Sequence, residues 1–146
     1  MSTPYSKIYE RAMFRFRDYE FLRLPEYDRE VILNNHLKSA EADFIDICRY
    51  DLTKVDDVEK CYLEDLDNET IDVLASGVAY YWMSSKVLSE ELFQNNLSLK
   101  EYSIHSPANL LRELTVLRKD LRKEFNRKMI RYSYTGSDLN KRQART

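Results

Sequence analysis

Apolar residues recur through this chain in steps of three and four, the spacing of one face of an α-helix. No window alternates with period two for long enough to read as a strand. The longest stripe runs through Leu110, Leu114, Leu117, Leu121, Phe125, Met129 and Tyr132. It predicts a helix from Ser106 to Tyr132, with Ser106 as N-cap and Pro107 at the first position, where the missing proline N–H would be unpaired in any case. At 1.5 Å per residue such a helix is roughly 39 Å long. Its other faces carry Arg112, Arg118, Lys119, Arg122, Lys123, Arg127, Lys128 and Arg131 against Glu113, Asp120 and Glu124.

Three more helices follow from the same pattern. The first spans Pro4 to Tyr19, capped by Thr3, with Tyr5, Ile8, Tyr9, Ala12, Phe16 and Tyr19 as its stripe. Met13, Phe14 and Phe21 fall off that stripe; beside Arg11, Arg15 and Arg17 they form either an interface or a second packing face. The second helix starts at Pro25, with Glu26, Asp28 and Glu30 against the positive end of its dipole, buries Leu33, Leu37, Ala40, Phe44 and Ile47, and frays near Arg49. Residues 50–66 are acidic and aperiodic, which predicts an exposed loop with a short turn at Val55–Leu63. The third helix follows Asp67 as N-cap, with Ile71, Leu74, Val78, Tyr81 or Trp82, and Ser85 facing one way. Gly77, inside a run of small residues, costs about 1 kcal/mol against alanine and so predicts close approach of another helix onto a central, buried element. Beyond Ser85 the pattern loosens, and Ser89-Glu90-Glu91-Leu92 reads as the start of a separate short helix ending near Asn96.

Composition narrows the class. With two glycines and three prolines among 146 residues, the chain predicts one all-α domain, a bundle of four to five helices with a long C-terminal helix. The expected division is a helical domain over 1–132 and an extended arm over 133–146, whose polar content predicts disorder in isolation. The N-terminus lacks the apolar core of a secretory signal, and the longest apolar run, Val78 to Met83, is far short of a membrane span. Cys48 and Cys61 predict two reduced thiols.

The net charge of −2 conceals a strong asymmetry. Glu41 to Asp72 holds twelve acids against three bases, a balance of −9, and Pro107 to Thr146 holds eleven bases against four acids, a balance of +7. These segments either neutralise each other within one subunit or meet head to tail between copies, and the basic end also suits an anionic partner.

Candidate chemistry is thin. His36 and His105 have no second ligand at metal spacing, and Cys48 reads as a small buried hydrophobe rather than a nucleophile. Glycines at 77 and 136 alone allow no phosphate-binding or nucleophile-elbow motif. Asp65, Asp67, Glu69 and Asp72 lack the glycine a calcium loop needs. The expectation is a non-enzyme without metal or cofactor. The basic helix and tail could contact phosphates, with no base-reading motif alongside.

Three stretches together resemble the small helical head-to-tail connector (neck, or adaptor) proteins of long-tailed bacteriophages. They are Pro4 to Ala12 running on through Phe16, Asp18 and Tyr19; Ile71 to Gly77 continuing to Trp82–Lys86; and Ser106–Asn109 with Leu110, Arg112-Glu113-Leu114 and Arg118. The resemblance covers about half the chain and leaves Asp46–Asp67 and the tail after Tyr134 unmatched. It implies a structural virion protein, located in the capsid–tail neck and assembled in the bacterial host cytoplasm. Such proteins form a ring, commonly of twelve copies, below the portal, where they extend the DNA channel and support the stopper or tail-completion protein. It implies that the C-terminal segment grips the portal or a neighbouring ring, with Tyr132, Tyr134, Lys141, Arg142 and Arg145 as the candidates here. Phe14, Arg15, Arg118, Arg122, Asp56 and Asp57 are the candidate inter-subunit contacts, and Lys119, Lys123 and Arg127 the candidates facing channel DNA. The alternative is a helical nucleic-acid-binding protein using the basic last helix and tail.

Overall fold

The structure, a computed structural model, describes residues 2–16, 21, 23–96 and 107–144, with side chains for 2–16, 21, 23–89 and 110–135. Among the described residues the chain forms four helices: α1 (Tyr5–Arg15), α2 (Glu26–Phe44), α3 (Asn68–Asn96) and α4 (Pro107–Ala144). Three two-residue strands, β1 (Thr3–Pro4), β2 (Val55–Asp56) and β3 (Cys61–Tyr62), make a small antiparallel sheet in the order β1-β3-β2. The class is all-α with a long C-terminal helix.

α3 is the central element. Residues 73–79 are buried on every side, the mark of a helix surrounded by others, and α1, α2 and α4 all pack on it. Gly77 is where two neighbours come closest. A Cβ there would lie 2.6 Å from Ala40 Cβ on α2 and 2.8 Å from Phe125 Cζ on α4, so only hydrogen fits between the helices. The sequence reading of Gly77 as a close-approach residue therefore holds. α3 also runs unbroken past Ser85 to Asn96 rather than yielding to a separate short helix. Met83 and Val87, one turn apart, are both buried and carry its apolar seam across the stretch where the first stripe fades.

Residues 50–66 are not the expected exposed loop. Leu52, Tyr62 and Leu66 are core residues, and β3 pairs with β1 in the register Thr3↔Tyr62 and with β2 in the register Val55↔Tyr62. Two-residue strands are too short to leave an alternation signature. Thr3 is not the cap of α1. Its hydroxyl donates to the Glu64 carbonyl (3.0 Å) and accepts from the Leu66 N–H (2.8 Å), tying the N-terminus to the far side of the hairpin. The turn between β2 and β3 is shaped by Asp56, whose Oδ1 accepts the N–H groups of Val58 (3.0 Å) and Glu59 (3.1 Å). Lys60, at φ 53°, closes it in the left-handed region.

The off-stripe aromatics, for which the sequence allowed an interface or a second packing face, are divided between the two by the structure, and the tail departs from the expectation. Phe21 is buried against Phe16 (centroids 5.7 Å) and Trp82 (6.2 Å), so it belongs to the core, while Phe14 is 76% exposed. Phe16 stacks on Trp82 with centroids 4.1 Å apart and rings within 9° of parallel. The backbone of 133–144 is helical, not an extended arm. Leu, Lys, Arg, Gln and Ala in this segment are good helix formers, and extending an existing helix avoids the cost of nucleation, so one glycine at 136 does not stop it. At 38 residues α4 is about 57 Å long.

Candidate interaction surface on the last helix

α4 has two different sides. At 100° per residue, Leu114, Leu121, Phe125 and Tyr132 fall within one narrow sector. Phe125 and Tyr132 on that sector are fully buried, with Leu114, Leu121 and Met129 packed against the same core. Leu110 and Leu117, counted on the core stripe from sequence, are 46% and 48% exposed. The inner seam therefore begins at Leu114 and passes Leu117 by.

The opposite side gathers Val116, Lys119, Lys123, Arg127, Ile130 and Tyr134. Ile130 (57% exposed) and Tyr134 (69% exposed), one turn apart, form an apolar ridge. A groove of about 620 Å³ runs along one flank, lined by Asp43 of α2, by Ile47 in the turn that follows it (exposed, not the buried helical residue the stripe predicts), and by Met129 and Ser133. A shallower concavity of about 550 Å³ lies on the other flank, lined by Lys123, Arg127, Arg131 and Thr135. Lys119, Lys123 and Arg127, expected from sequence to face DNA, share this outer side of α4, with Lys123 and Arg127 beside the ridge and Lys119 one turn before Lys123. None of them has an ion-pair partner among the described residues.

Other candidates turn inward. Arg15 donates to Asp72 Oδ1 (2.7 Å) and Glu124 Oε1 (3.2 Å), and Lys128 donates to the other Asp72 oxygen. Burial pushes the Asp72 carboxyl up, but hydrogen bonds from Lys128 and Arg15 outweigh it and hold its pKa below the ordinary value. Arg122 pairs with Asp43 (3.4 Å) and lies 5.0 Å from the Tyr80 ring centroid. Arg15 and Arg122, read from sequence as inter-subunit contacts, are engaged within their own subunit. Part of the acidic–basic asymmetry is likewise neutralised internally, through Asp43–Arg122 and Asp72–Lys128.

Tyr132 is the clearest correction. It is fully buried, so it holds the fold rather than a portal or neighbouring ring. Its hydroxyl accepts the Arg49 N–H and lies 3.0 Å from Thr70 Oγ1 and 3.9 Å from Cys48 Sγ. The signal for this was present, since Tyr132 continues the Phe125 stripe by seven residues. Ile130 was missed for the opposite reason: between Met129 and Arg131 it reads as a stray apolar residue until its face is known.

Of the remaining candidates, Phe14 and Asp57 are exposed, and Asp56 is half-buried with its carboxylate engaged by its own turn. Arg118 is half-buried with no ion-pair partner among the described residues. Lys141 and Arg142 lie on helical backbone; their side chains, with Arg145, Ser106, Tyr19 and His105, lie outside the described residues. Burial is the leading influence on the Cys48 thiol and pushes it up, away from the thiolate that nucleophilic chemistry requires. Among the described residues no three His, Cys, Asp or Glu side chains converge as a metal cage would need, and no helix is long and apolar enough to cross a membrane.

No family model, no curated protein and no solved structure matches the chain.

Proposed function

We propose that the protein is a structural subunit of a bacteriophage neck, forming a ring below the portal that joins capsid to tail and extends the DNA channel. The observation that carries this reading is α4: a helix of 38 residues whose inner seam packs one subunit while its outer side presents an apolar ridge among unpaired cations. A ring requires two unlike patches on each copy, because a heterologous contact closes only when one patch meets the other. Lys119, Lys123 and Arg127 would meet DNA phosphates without reading sequence. Most of the described residues of the three stretches that resemble neck proteins lie on α1, α3 and α4, and α1 and α4 both pack on α3, so those parts belong to one packed unit. The ring's copy number, its portal partner and its stopper or tail partner follow from the resemblance.

The same three unpaired cations favour the second reading, a nucleic-acid-binding protein. The two separate in one experiment: the purified protein is mixed with the portal ring from the same source and imaged by electron microscopy. An added ring of density at the tail-side end supports the connector. A bare portal, together with DNA binding that weakens steeply with salt, overturns it in favour of the second reading.

A further inference from the structure

The ridge on α4 has a complement elsewhere on the same chain. The turn between β2 and β3 presents Asp57, Val58 and Glu59 to solvent, with Val58 at 88% exposure the most exposed of the large apolar residues described. Neither Asp57 nor Glu59 has a cation partner among the described residues. The two acids and the apolar residue of this tip are complementary in charge and character to Ile130 and the three bases, Lys123, Arg127 and Arg131, that line one flank of it.

The two surfaces stand on opposite sides of α2. Glu41 accepts a hydrogen bond from Tyr62 of β3, so that side of α2 faces the sheet. Asp43 and Ile47 line the groove beside the ridge. At 100° per residue, the two positions from Glu41 to Asp43 turn the helix by about 200°, away from the sheet. The tip of one chain is thereby kept from its own ridge but is free to reach that of another copy.

We infer that the Ile130–Tyr134 ridge is the seat for the Asp57-Val58-Glu59 tip of a second copy, in a repeating head-to-tail contact. Val58 enters beside Ile130, while Asp57 and Glu59 meet Lys123, Arg127 and Arg131. Because the two patches differ, every copy retains one free tip and one free ridge until the assembly closes. The closed form of this assembly rests on the ring reading above; the contact does not need the portal.

A benzophenone amino acid placed at position 58 of the full chain tests the contact. Irradiation at millimolar protein and low salt should give a two-chain adduct whose cross-link maps to residues 123–134. The double variant Lys123→Glu, Arg127→Glu should lower the adduct yield about tenfold or more, the scale of one lost charge-assisted contact. An Asp57→Lys, Glu59→Lys tip should restore it when mixed with that variant. The substituted side chains are all exposed, and circular dichroism checks that each variant folds. An adduct no stronger than that from the same probe at Leu88, or one mapping elsewhere, overturns the inference. Trapping at 123–134 with a bare portal would leave the contact standing and sink the connector, whereas a portal-bound ring cross-linked elsewhere would do the reverse.

Discussion

The Tyr132 hydroxyl accepts the Arg49 backbone N–H at 3.1 Å, while the Arg49 guanidinium lies 4.2 Å from the centroid of the same ring. One residue of α4 is thus held by both the backbone and the side chain just beyond the end of α2. Arg49 is fixed in turn by Glu69 (3.0 Å) and Asp67 (3.5 Å) at the start of α3. Three helices are joined at this point, with the Tyr132 ring edge-on to Phe44 at 4.8 Å.

Tyr132→Phe keeps the ring and removes the hydroxyl, leaving the Arg49 N–H without its acceptor and depriving Thr70 of a partner. The expected cost is about 2 kcal/mol, the desolvation penalty of orphaned buried groups, or a fall in Tm of about 4–8 °C for a chain of this size. Urea unfolding followed by circular dichroism would read it as a lower midpoint at unchanged slope. A midpoint equal to wild type would mean that the hydroxyl network adds nothing.

The same residue marks where the fold ends. A chain stopped after Thr135 should melt within a few degrees of the full protein, since Ser133 and Tyr134 are exposed. A chain stopped after Arg131 loses a large buried aromatic, at about 3–5 kcal/mol. Similar melting of the two truncations would refute this boundary.

Gly77→Ala sets two effects against each other. Helix propensity favours alanine by about 1 kcal/mol, but the new methyl meets Ala40 Cβ at 2.6 Å, and Ala40 has no flexible end with which to yield. Overpacking of this kind costs about 1–3 kcal/mol, so the variant should be less stable than wild type. Ala40→Gly should offset part of the loss when the two are combined, giving a double variant less destabilised than the sum. A more stable Gly77→Ala protein would show that α2 and α3 can separate freely.

Acid should weaken the α1–α3–α4 junction through Asp72. Its folded pKa lies below its unfolded one, so its contribution is present in full above the ordinary carboxylate range and is lost as pH falls through the lower, folded value. Asp72→Asn should therefore cost about 1 kcal/mol at pH 7, where Arg15 and Lys128 lose their shared anion. It should cost much less near pH 2. Urea midpoints at the two pH values test this, and an equal gap at both would remove Asp72 from the acid response.

Much of the helical framework was legible from the sequence. The stripes Ile8–Tyr9–Ala12, Leu33–Leu37–Ala40–Phe44, Leu74–Val78 and Leu121–Phe125 record local periodicity, and a helix buries whichever side such a stripe occupies. Gly77 was legible too, because a costly glycine in a helix interior implies a neighbour that needs the space. The sheet was not, since its pairing joins Thr3 to Tyr62 across a sequence gap that no local pattern reports.

What the tertiary structure alone decided was which charges and aromatics face inward. Arg15 and Arg122 looked like free surface cations until Asp72, Glu124 and Asp43 were placed beside them from other helices. Leu110 and Leu117 were counted on one stripe with Phe125, yet they are exposed, because they stand about 60° and 80° round the helix from it, off the sector that packs against the core. Ile130 and Val58 gained meaning the same way, one on the outer side of a helix and one at the tip of a turn. Periodicity specifies the face that a helix can bury, and long-range packing determines the length over which that face is covered.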